Sequence, residues 1–289
     1  MRLPGYKSTP NKERVREEDT KFAINEFKRK NRALSYLGMP SGEIRDLLAW
    51  GTYFERATAV EIDEKQRTEM VLNLMKFDPC KTEILFGDVE SILINGKDDY
   101  GNRLSYPYDI IFLDFFGVIL YSGLTRIKAI KNIFKNQNNI EFVLFLTLNI
   151  KDKKYCGEMI RSELRDIKKE LLSLYENQVK IVDKIKSVFQ WYETVKFSEM
   201  YVQKVFVPYL VKIFAESFGY KSHAYSPIFY MGYKNNPMMH FSFKLEPKAN
   251  HIVKAYSTQN TIDIINLGLK EASKGRVFLK DKQAPKIGL

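Results

Sequence analysis

The sequence predicts an α/β fold built on a mostly parallel sheet, and three observations predict it. From about residue 33, short apolar runs alternate with amphipathic stretches along the chain. Several of these runs are apolar throughout, as expected for parallel strands that are buried on both faces. Near the end of the pattern, two strand-like runs are separated by a segment containing Gly, Asn and Pro, which favours an antiparallel hairpin.

Five strands are predicted in the first half of the chain, with a helix after each of the first four. The strands are Ala33–Leu37, Thr58–Ile62, Glu83–Phe86, Tyr108–Leu113 and Ile140–Leu148. The helices cover residues 41–50, 64–76, 88–94 and 123–135. Each crossover is long enough to bring the chain back for parallel pairing.

The pattern changes after the fifth strand. Residues 152–201 contain no clear strand-like run and are predicted to be helical, as are residues 202–218. The hairpin strands are His223–Tyr230 and Met238–Leu245. In the second of them polar and apolar side chains alternate, which places His240 on the surface of the sheet.

The positive charge of the chain is concentrated at its two ends. The 289 residues carry 46 Lys and Arg against 35 Asp and Glu, a formal net charge of +11. Residues 1–32 and 248–289 contribute +5 each, and residues 33–247 only +1. Basic ends are typical of contacts with the phosphates of RNA or DNA. Solvated tails that keep the protein soluble are the alternative.

Composition excludes several other classes of protein. The only cysteines are Cys80 and Cys156, too few for a disulfide framework, so a reducing compartment is expected. With the three histidines they form no metal-ligand spacing, and no metal site is predicted. There is no run of about 18 apolar residues that could span a membrane, and the start of the chain has no apolar signal stretch. A cytoplasmic protein without membrane contact is expected.

Four stretches at predicted strand ends carry residues suited to binding chemistry. They are Tyr36–Gly42, Thr58–Asp63, Phe86–Val89 and Asp109–Gly117. A carboxylate at the carboxyl end of a strand can accept both hydrogens of a ribose diol, and we prefer Glu61 for this role. The alternative is a solvated acidic turn, in which Asp63 is the N-cap of the next helix.

Five α/β units, a helical segment and a closing hairpin together resemble the class I S-adenosylmethionine-dependent methyltransferases, over roughly residues 33–247. The resemblance implies a Rossmann-like, seven-stranded, mostly parallel sheet with an antiparallel last strand, helices on both faces and a helical insertion at about 152–201. Residues 1–32 and 248–289 are then basic extensions of a methyltransferase-like domain.

The resemblance also implies S-adenosylmethionine as the cofactor. The residues expected to bind it are Tyr36, Gly38, Gly42, Glu61, Asp88 and Val89. In the family the first stretch is an acidic residue followed by Gly-x-Gly-x-Gly, whereas here Tyr36 replaces the acid and Pro40 the second glycine. An ordinary strand-to-helix turn is the alternative for this loop. The Asp88 carboxylate would lie at the adenine amino group and the Val89 backbone at the ring; Asp88 as a plain helix cap is the alternative.

The fourth stretch carries the catalytic residues that the resemblance implies. Asp114-Phe115-Phe116-Gly117 resembles the Asp-Pro-Pro-Tyr motif of methyltransferases that act on exocyclic amines, and the Asp-Pro-Phe-Gly of tRNA guanine-N2 methyltransferases. Asp114 would accept from the amine, and Phe115 or Phe116 would hold the base. Phe115 stands where the family has proline, and packing of both rings in the core is the competing interpretation.

The prediction is therefore an enzyme that methylates an exocyclic or ring nitrogen of a nucleic-acid base, with RNA or DNA held by the basic termini. Two alternatives stay open. One is a catalytically degenerate, methyltransferase-like module that binds nucleic acid or protein, which the departures at Tyr36 and Pro40 favour. The other is a methyltransferase for a protein or a small molecule, which the nearly neutral body of the chain permits.

Overall fold

The computed structural model of the chain describes residues 10–24, 33–76, 81–115, 117, 119, 125–149 and most of 207–248, with six single positions between 169 and 186. Within these described residues, eight strands form one sheet. In chain order they are β1 (Leu34–Gly38), β2 (Phe54–Glu61), β3 (Lys81–Phe86), β4 (Ile110–Phe115), β5 (Phe142–Asn149), β6 (Tyr220–Ala224), β7 (Ile228–Met231) and β8 (Pro237–Pro247).

Five helices are described in full. They are α1 (Pro10–Asp19), α2 (Arg45–Trp50), α3 (Glu64–Lys76), α4 (Val89–Asn95) and α5 (Thr125–Asn136). A π-helical segment, Thr20–Ile24, continues α1, and the described positions between 207 and 217 are also helical. No helix within these described parts is long and apolar enough to cross a membrane.

The sheet runs in the order β3-β2-β1-β4-β5-β8-β6, and β7 also pairs with β8. The first five strands are parallel, whereas β8 is antiparallel to β5. This confirms the Rossmann-like class predicted from the sequence, with helices on both faces of the sheet. The described positions within the predicted insertion, 152–201, are helical, and the rest of that segment lies outside the described residues.

The strand count differs from the prediction at the edge of the sheet. The sequence predicts a single strand over His223–Tyr230, but the structure has two short strands there, β6 and β7, and both pair with β8. Pro227 lies between them and has no N–H to donate to β8, so it interrupts the hydrogen-bond ladder. The sheet therefore has seven strand positions, of which the last is divided in two.

Each face of the sheet packs against its own helices. Alternating side chains of the central strands, among them Tyr36, Phe112 and Phe145, form one core with α2. The opposite side chains form a second core with α4, α5 and the helical positions between 207 and 217. The first face is the one that α1 covers.

His240 corrects one expectation. The alternation along β8 predicts a surface histidine, but its side chain is 0% exposed. Its ring packs against those of Phe112 and Phe145, with centroid distances of 5.8 and 5.7 Å. The reason is α1, whose Asp19 covers this part of the sheet and bonds to the ring.

Candidate functional site

The four predicted stretches meet at one edge of the sheet. β1, β2, β3 and β4 are mutually parallel neighbours, so their carboxyl ends lie side by side. This edge of an open α/β sheet is where ligands bind in such folds. The register places Glu61 opposite Phe86, which ends the neighbouring strand.

Gly38, at the end of β1, is required by the packing of the chain itself. A Cβ atom at this position would overlap the phenol of Tyr36, which lies on the same face of the strand. Tyr36 is fully buried, and its hydroxyl donates to Asp46 Oδ2 at 3.2 Å. Burial, followed by the nearby charge of Asp46, raises the pKa of Tyr36. Tyr36 is therefore a core residue below the loop, with no surface toward a ligand.

Gly42 is also held by neighbouring side chains. Its N–H donates to Gln66 Oε1 at 3.1 Å, and its carbonyl accepts from Asn73 Nδ2 at 2.8 Å. A Cβ atom here would lie 2.9 Å from Glu69. All three partners are on α3, so the loop from Gly38 to Gly42 is fixed against that helix.

Glu61 ends β2 with its carboxylate half-buried. Its Oε1 accepts the backbone N–H of Asp63 at 2.9 Å. Burial raises the pKa of Glu61, and backbone hydrogen bonds from residues 62 and 63 oppose the shift. Asp63 in turn accepts from the Gln66 N–H at 2.9 Å, in the first turn of α3. The helix-cap function thus belongs to Asp63, and Glu61 is a half-buried carboxylate at the end of β2.

Asp88 follows β3 and caps α4. Its Oδ2 accepts from the Ser91 N–H at 3.0 Å and from the Ser91 hydroxyl at 2.9 Å. Gly87 before it has φ +141°, and a side chain there would also meet Asp99. The capping contacts use one oxygen of Asp88, so a second interaction through Oδ1 is compatible with the cap. Val89 begins the helix, with its side chain buried.

Asp114 lies in β4, and its partner comes from α1. Lys12 Nζ donates to Asp114 Oδ2 at 2.7 Å, and both side chains are 13% exposed. The other oxygen, Oδ1, is buried and has no hydrogen-bond partner among the described residues. Buried acceptors are rarely left unpaired in native structures. Asp114 therefore presents one held oxygen and one oxygen that lacks a donor.

Phe115 and Phe116 follow Asp114 along the chain. Phe115 is 1% exposed and belongs to the core on the sheet face opposite Asp114, because side chains alternate along the strand. The guanidinium carbon of Arg126 lies 4.4 Å from the centroid of its ring. The Phe115 ring therefore has no face open to a base. Phe116 lies outside the described residues.

The sequence interpretation missed the contribution of α1. Four residues on one side of this helix and its π-helical extension contact the sheet or α2: Lys12 binds Asp114, Arg16 binds Asp46, Asp19 binds His240 and Thr20 accepts from Trp50. Their spacing, i, i+4, i+7 and i+8, is that of a single helix face and was the available signal. These residues belong to the predicted basic extension, 1–32, and the sequence therefore predicts no contacts between them and the sheet.

The residues at the sheet edge fit the adenosine part of S-adenosylmethionine better than its methionine part. The carboxylates of Glu61 and Asp88 are acceptors suited to the hydroxyl and amino hydrogens of an adenosine. At the first loop, the space beside Gly38 and Gly42 is filled by Tyr36 and Glu69. These two glycines are explained by internal packing, so their presence does not by itself indicate a cofactor.

Solved structures with a similar fold include several methyltransferases. A Pyrococcus horikoshii protein assigned as an RNA methyltransferase is 11% identical, with a TM-score of 0.43, over 86% of this chain and 94% of that one. The Geobacter metallireducens precorrin-6Y C5,15-methyltransferase is 11% identical, with a TM-score of 0.41, over 84% and 92%. An rRNA methylase from Streptococcus thermophilus is 10% identical, with a TM-score of 0.35, over 75% and 88%.

The sequence matches no protein-family model and no curated protein. At such low identity the likeness to solved structures concerns the fold alone. The strand order and the antiparallel β8 identify the fold of this chain as the Rossmann-like fold of class I methyltransferases.

Proposed function

We propose that this protein is an S-adenosylmethionine-dependent methyltransferase that acts on a nitrogen of a nucleic-acid base. The observation that carries the proposal is Oδ1 of Asp114 at the end of β4, which is buried and has no hydrogen-bond partner in the described part of the chain, beside an Oδ2 that Lys12 holds. An acceptor amine supplies the N–H donor that this oxygen lacks.

Lys12 gives Asp114 its orientation. Because Oδ2 is engaged by the ammonium, the carboxylate cannot rotate freely, and Oδ1 keeps one direction. An amine bound there is oriented with its lone pair away from the carboxylate. Positioning of this kind is the main contribution that a protein makes when the reactive group belongs to a cofactor.

The cofactor would be held by the neighbouring strand ends. Glu61 would accept from the ribose hydroxyls and Asp88 from the adenine amine, with the Val89 backbone at the ring. When bound, S-adenosylmethionine supplies the methyl group on its sulfonium. Lys12 and Asp114 would act on the acceptor, whereas Glu61 and Asp88 would act on the cofactor.

A nucleic acid is the acceptor favoured by charge. The two termini of the chain each carry a net charge of +5, and such clusters bind phosphates. Within the first of them, Lys12 and Arg16 are engaged by Asp114 and Asp46. The remaining basic residues of the termini are the ones proposed to contact the polymer.

Calorimetry of the full chain with S-adenosylmethionine tests the cofactor. We expect saturable binding that Asp88→Ser weakens by about tenfold or more, because serine keeps the helix cap but removes the second carboxylate oxygen. Ser91→Ala is the matched control, since it removes a partner of the cap and keeps the carboxylate. Absence of binding by the wild type at high micromolar cofactor would overturn the proposal.

Transfer of a labelled methyl group to pools of RNA and DNA tests the acceptor. Asp114→Asn is expected to lower transfer by about 100-fold or more while cofactor affinity is unchanged. Labelling of protein or small molecules, with none of nucleic acid, would contradict the assignment of the acceptor and leave the cofactor assignment intact.

A second candidate function is a methyltransferase-like binding module without turnover. The packing of Tyr36 against Gly38, and the use of the Gly42 N–H by Gln66, favour it, because the first loop then offers less to a cofactor. Nucleic-acid binding without detectable S-adenosylmethionine binding would support this alternative.

A further inference from the structure

A cavity of about 340 Å³ lies between the N-terminal helix and the edge strands of the sheet. Its walls include Arg14, Glu18, Asp19 and Phe22 on the helical side and Tyr225 and Tyr230 on the strand side. None of the residues predicted for the cofactor or for catalysis lines it. The volume is in the range of sites for small organic ligands.

Asp19 is a buried acidic residue in the wall of this cavity. Its side chain is 1% exposed, and Oδ1 accepts from Ser242 Oγ at 3.1 Å and bonds to His240 Nε2 at 2.9 Å. Oδ2 is buried and has no hydrogen-bond partner among the described residues. A carboxylate oxygen without a donor is costly in such a place, so a ligand N–H is the group it fits.

Aromatic rings and one arginine define the rest of the ligand. Phe22 and Tyr225 are in edge-to-face contact, Tyr230 is buried, and Tyr225 is 46% exposed. Such rings form a surface on which a planar ring can stack. Arg14 is exposed at the rim, where it can meet a phosphate, and Glu18, also at the rim, is paired with Lys21 at 2.9 Å.

We propose that this cavity binds an unpaired nucleobase carrying an exocyclic amine, with its phosphate at Arg14. The amine donates to Asp19 Oδ2, and the ring stacks on the aromatic side chains of the wall. A carbonyl in place of the amine would face the carboxylate oxygen and be repelled. The site therefore prefers cytosine to uracil, which differ in this group.

The cavity is placed to serve the proposed function, on which this inference rests. In the sheet register, Asp114 lies opposite Thr147, and Thr147 lies opposite His240, the partner of Asp19. Two strand spacings, about 10 Å, thus separate Asp114 from His240. A nucleotide in the cavity would be a near neighbour of the base at Asp114 along the same strand of nucleic acid.

The test is calorimetry of the full chain with CMP, UMP and their nucleosides, since neither base resembles the adenosine of the cofactor. We expect the wild type to bind CMP more tightly than UMP. Asp19→Asn keeps an oxygen for His240 and Ser242 but presents an amide N–H₂ to the ligand. It should weaken CMP binding by about tenfold or more and reverse the preference toward UMP.

Two further variants distinguish binding of the phosphate from binding of the base. Arg14→Gln should remove the advantage of CMP over cytidine and leave cytidine binding unchanged. Glu17→Gln, an exposed position on the same helix that does not line the cavity, should change neither. If Asp19→Asn fails to fold, Tyr225→Leu removes part of the stacking surface without touching the carboxylate and should weaken both nucleotides.

The outcomes separate this inference from the proposed function. Equal binding of CMP and UMP, or a wild-type preference kept in Asp19→Asn, overturns the cavity assignment. If S-adenosylmethionine binds and methyl transfer proceeds while no pyrimidine nucleotide binds, the cavity proposal alone fails. If CMP binds through Asp19 but S-adenosylmethionine does not bind, the methyltransferase proposal fails and the nucleotide site stands.

Discussion

Lys12 and Asp114, 102 positions apart in the chain, form an ion pair with an Nζ to Oδ2 distance of 2.7 Å. The pair joins the first turn of α1 to the end of β4, at the carboxyl edge of the sheet. Both side chains are largely buried, so the pair is less screened by water than a surface ion pair. The N-terminal helix is therefore part of the candidate site.

Replacing Lys12 tests the strength of this connection. In Lys12→Met the Asp114 carboxylate loses its only described donor and stays largely buried, so we expect a loss of about 1–3 kcal/mol in the free energy of unfolding. Urea denaturation measures it. Lys21→Met, which removes an exposed pair with Glu18, should cost less than about 1 kcal/mol.

A double-mutant cycle distinguishes the ion pair from other effects of the lysine. Lys12→Met combined with Asp114→Asn should cost less than the two single changes added together, by about 0.5–3 kcal/mol. Strict additivity would mean that the two side chains do not interact in solution.

The parallel part of the fold could be predicted from the sequence because its signals are local. The apolar runs that became β1, β4 and β5 are buried on both faces, and α3 has the predicted bounds, 64–76. The candidate carboxylates Glu61, Asp88 and Asp114 were found for the same reason, since each follows or ends such a run.

The rest of the site depends on contacts between distant segments. His240 alternates with apolar residues like any residue of a half-exposed strand, and only the position of α1 makes it buried. The same holds for Asp19, whose partners are 221 and 223 positions away. Phe115 is, with Phe116, one of two residues that the sequence predicts to hold the base, although strand alternation alone places its side chain on the face opposite Asp114.

Gly38→Ala tests whether Tyr36 explains this glycine. β1 is hydrogen-bonded on both sides, to β2 and β4, so its backbone cannot move away from the phenol. We expect a loss of about 1–3 kcal/mol or more in the free energy of unfolding, as for other overpacked cores. Gly42→Ala should cost less, because two of the three nearest atoms belong to the flexible end of Glu69.

The background Tyr36→Leu provides the control for Gly38. With the phenol removed, the additional cost of Gly38→Ala should largely disappear, as measured by chemical denaturation of the four proteins. A cost that persists in this background would point to the backbone of the loop instead of the Tyr36 ring.

Glu61→Gln should change how stability depends on pH. Burial raises the pKa of Glu61 in the folded chain above its ordinary value of 4.5, so its favourable contribution is complete below that value and is lost as the pH rises through the folded pKa. Glutamine does not titrate, so the variant does not lose stability in this way as the pH rises. Its side-chain oxygen can still accept from the Asp63 N–H. The variant should therefore gain stability relative to the wild type between pH 4 and pH 7.

Denaturation curves recorded across this pH range give the comparison. A difference between the two proteins that is constant with pH, or that grows as the pH falls, would contradict the buried setting of Glu61. Glu55→Gln is a matched control, because Glu55 is on the same strand and exposed. It should leave the pH dependence as it is in the wild type.

The pair Arg126–Glu90 supports the end of β4 from the other face of the sheet. Arg126 Nη2 lies 2.6 Å from Glu90 Oε1, the two side chains are 4% and 9% exposed, and the guanidinium covers the Phe115 ring. Arg126→Met would leave a buried, uncompensated carboxylate and should cost about 3–5 kcal/mol. Converting both residues to methionine removes the two charges together and should recover most of this loss, because the pair was desolvated on folding. If thermal unfolding shows the double variant as unstable as Arg126→Met, the contact of Arg126 with Phe115 is what stabilises β4, and the charge pair contributes little.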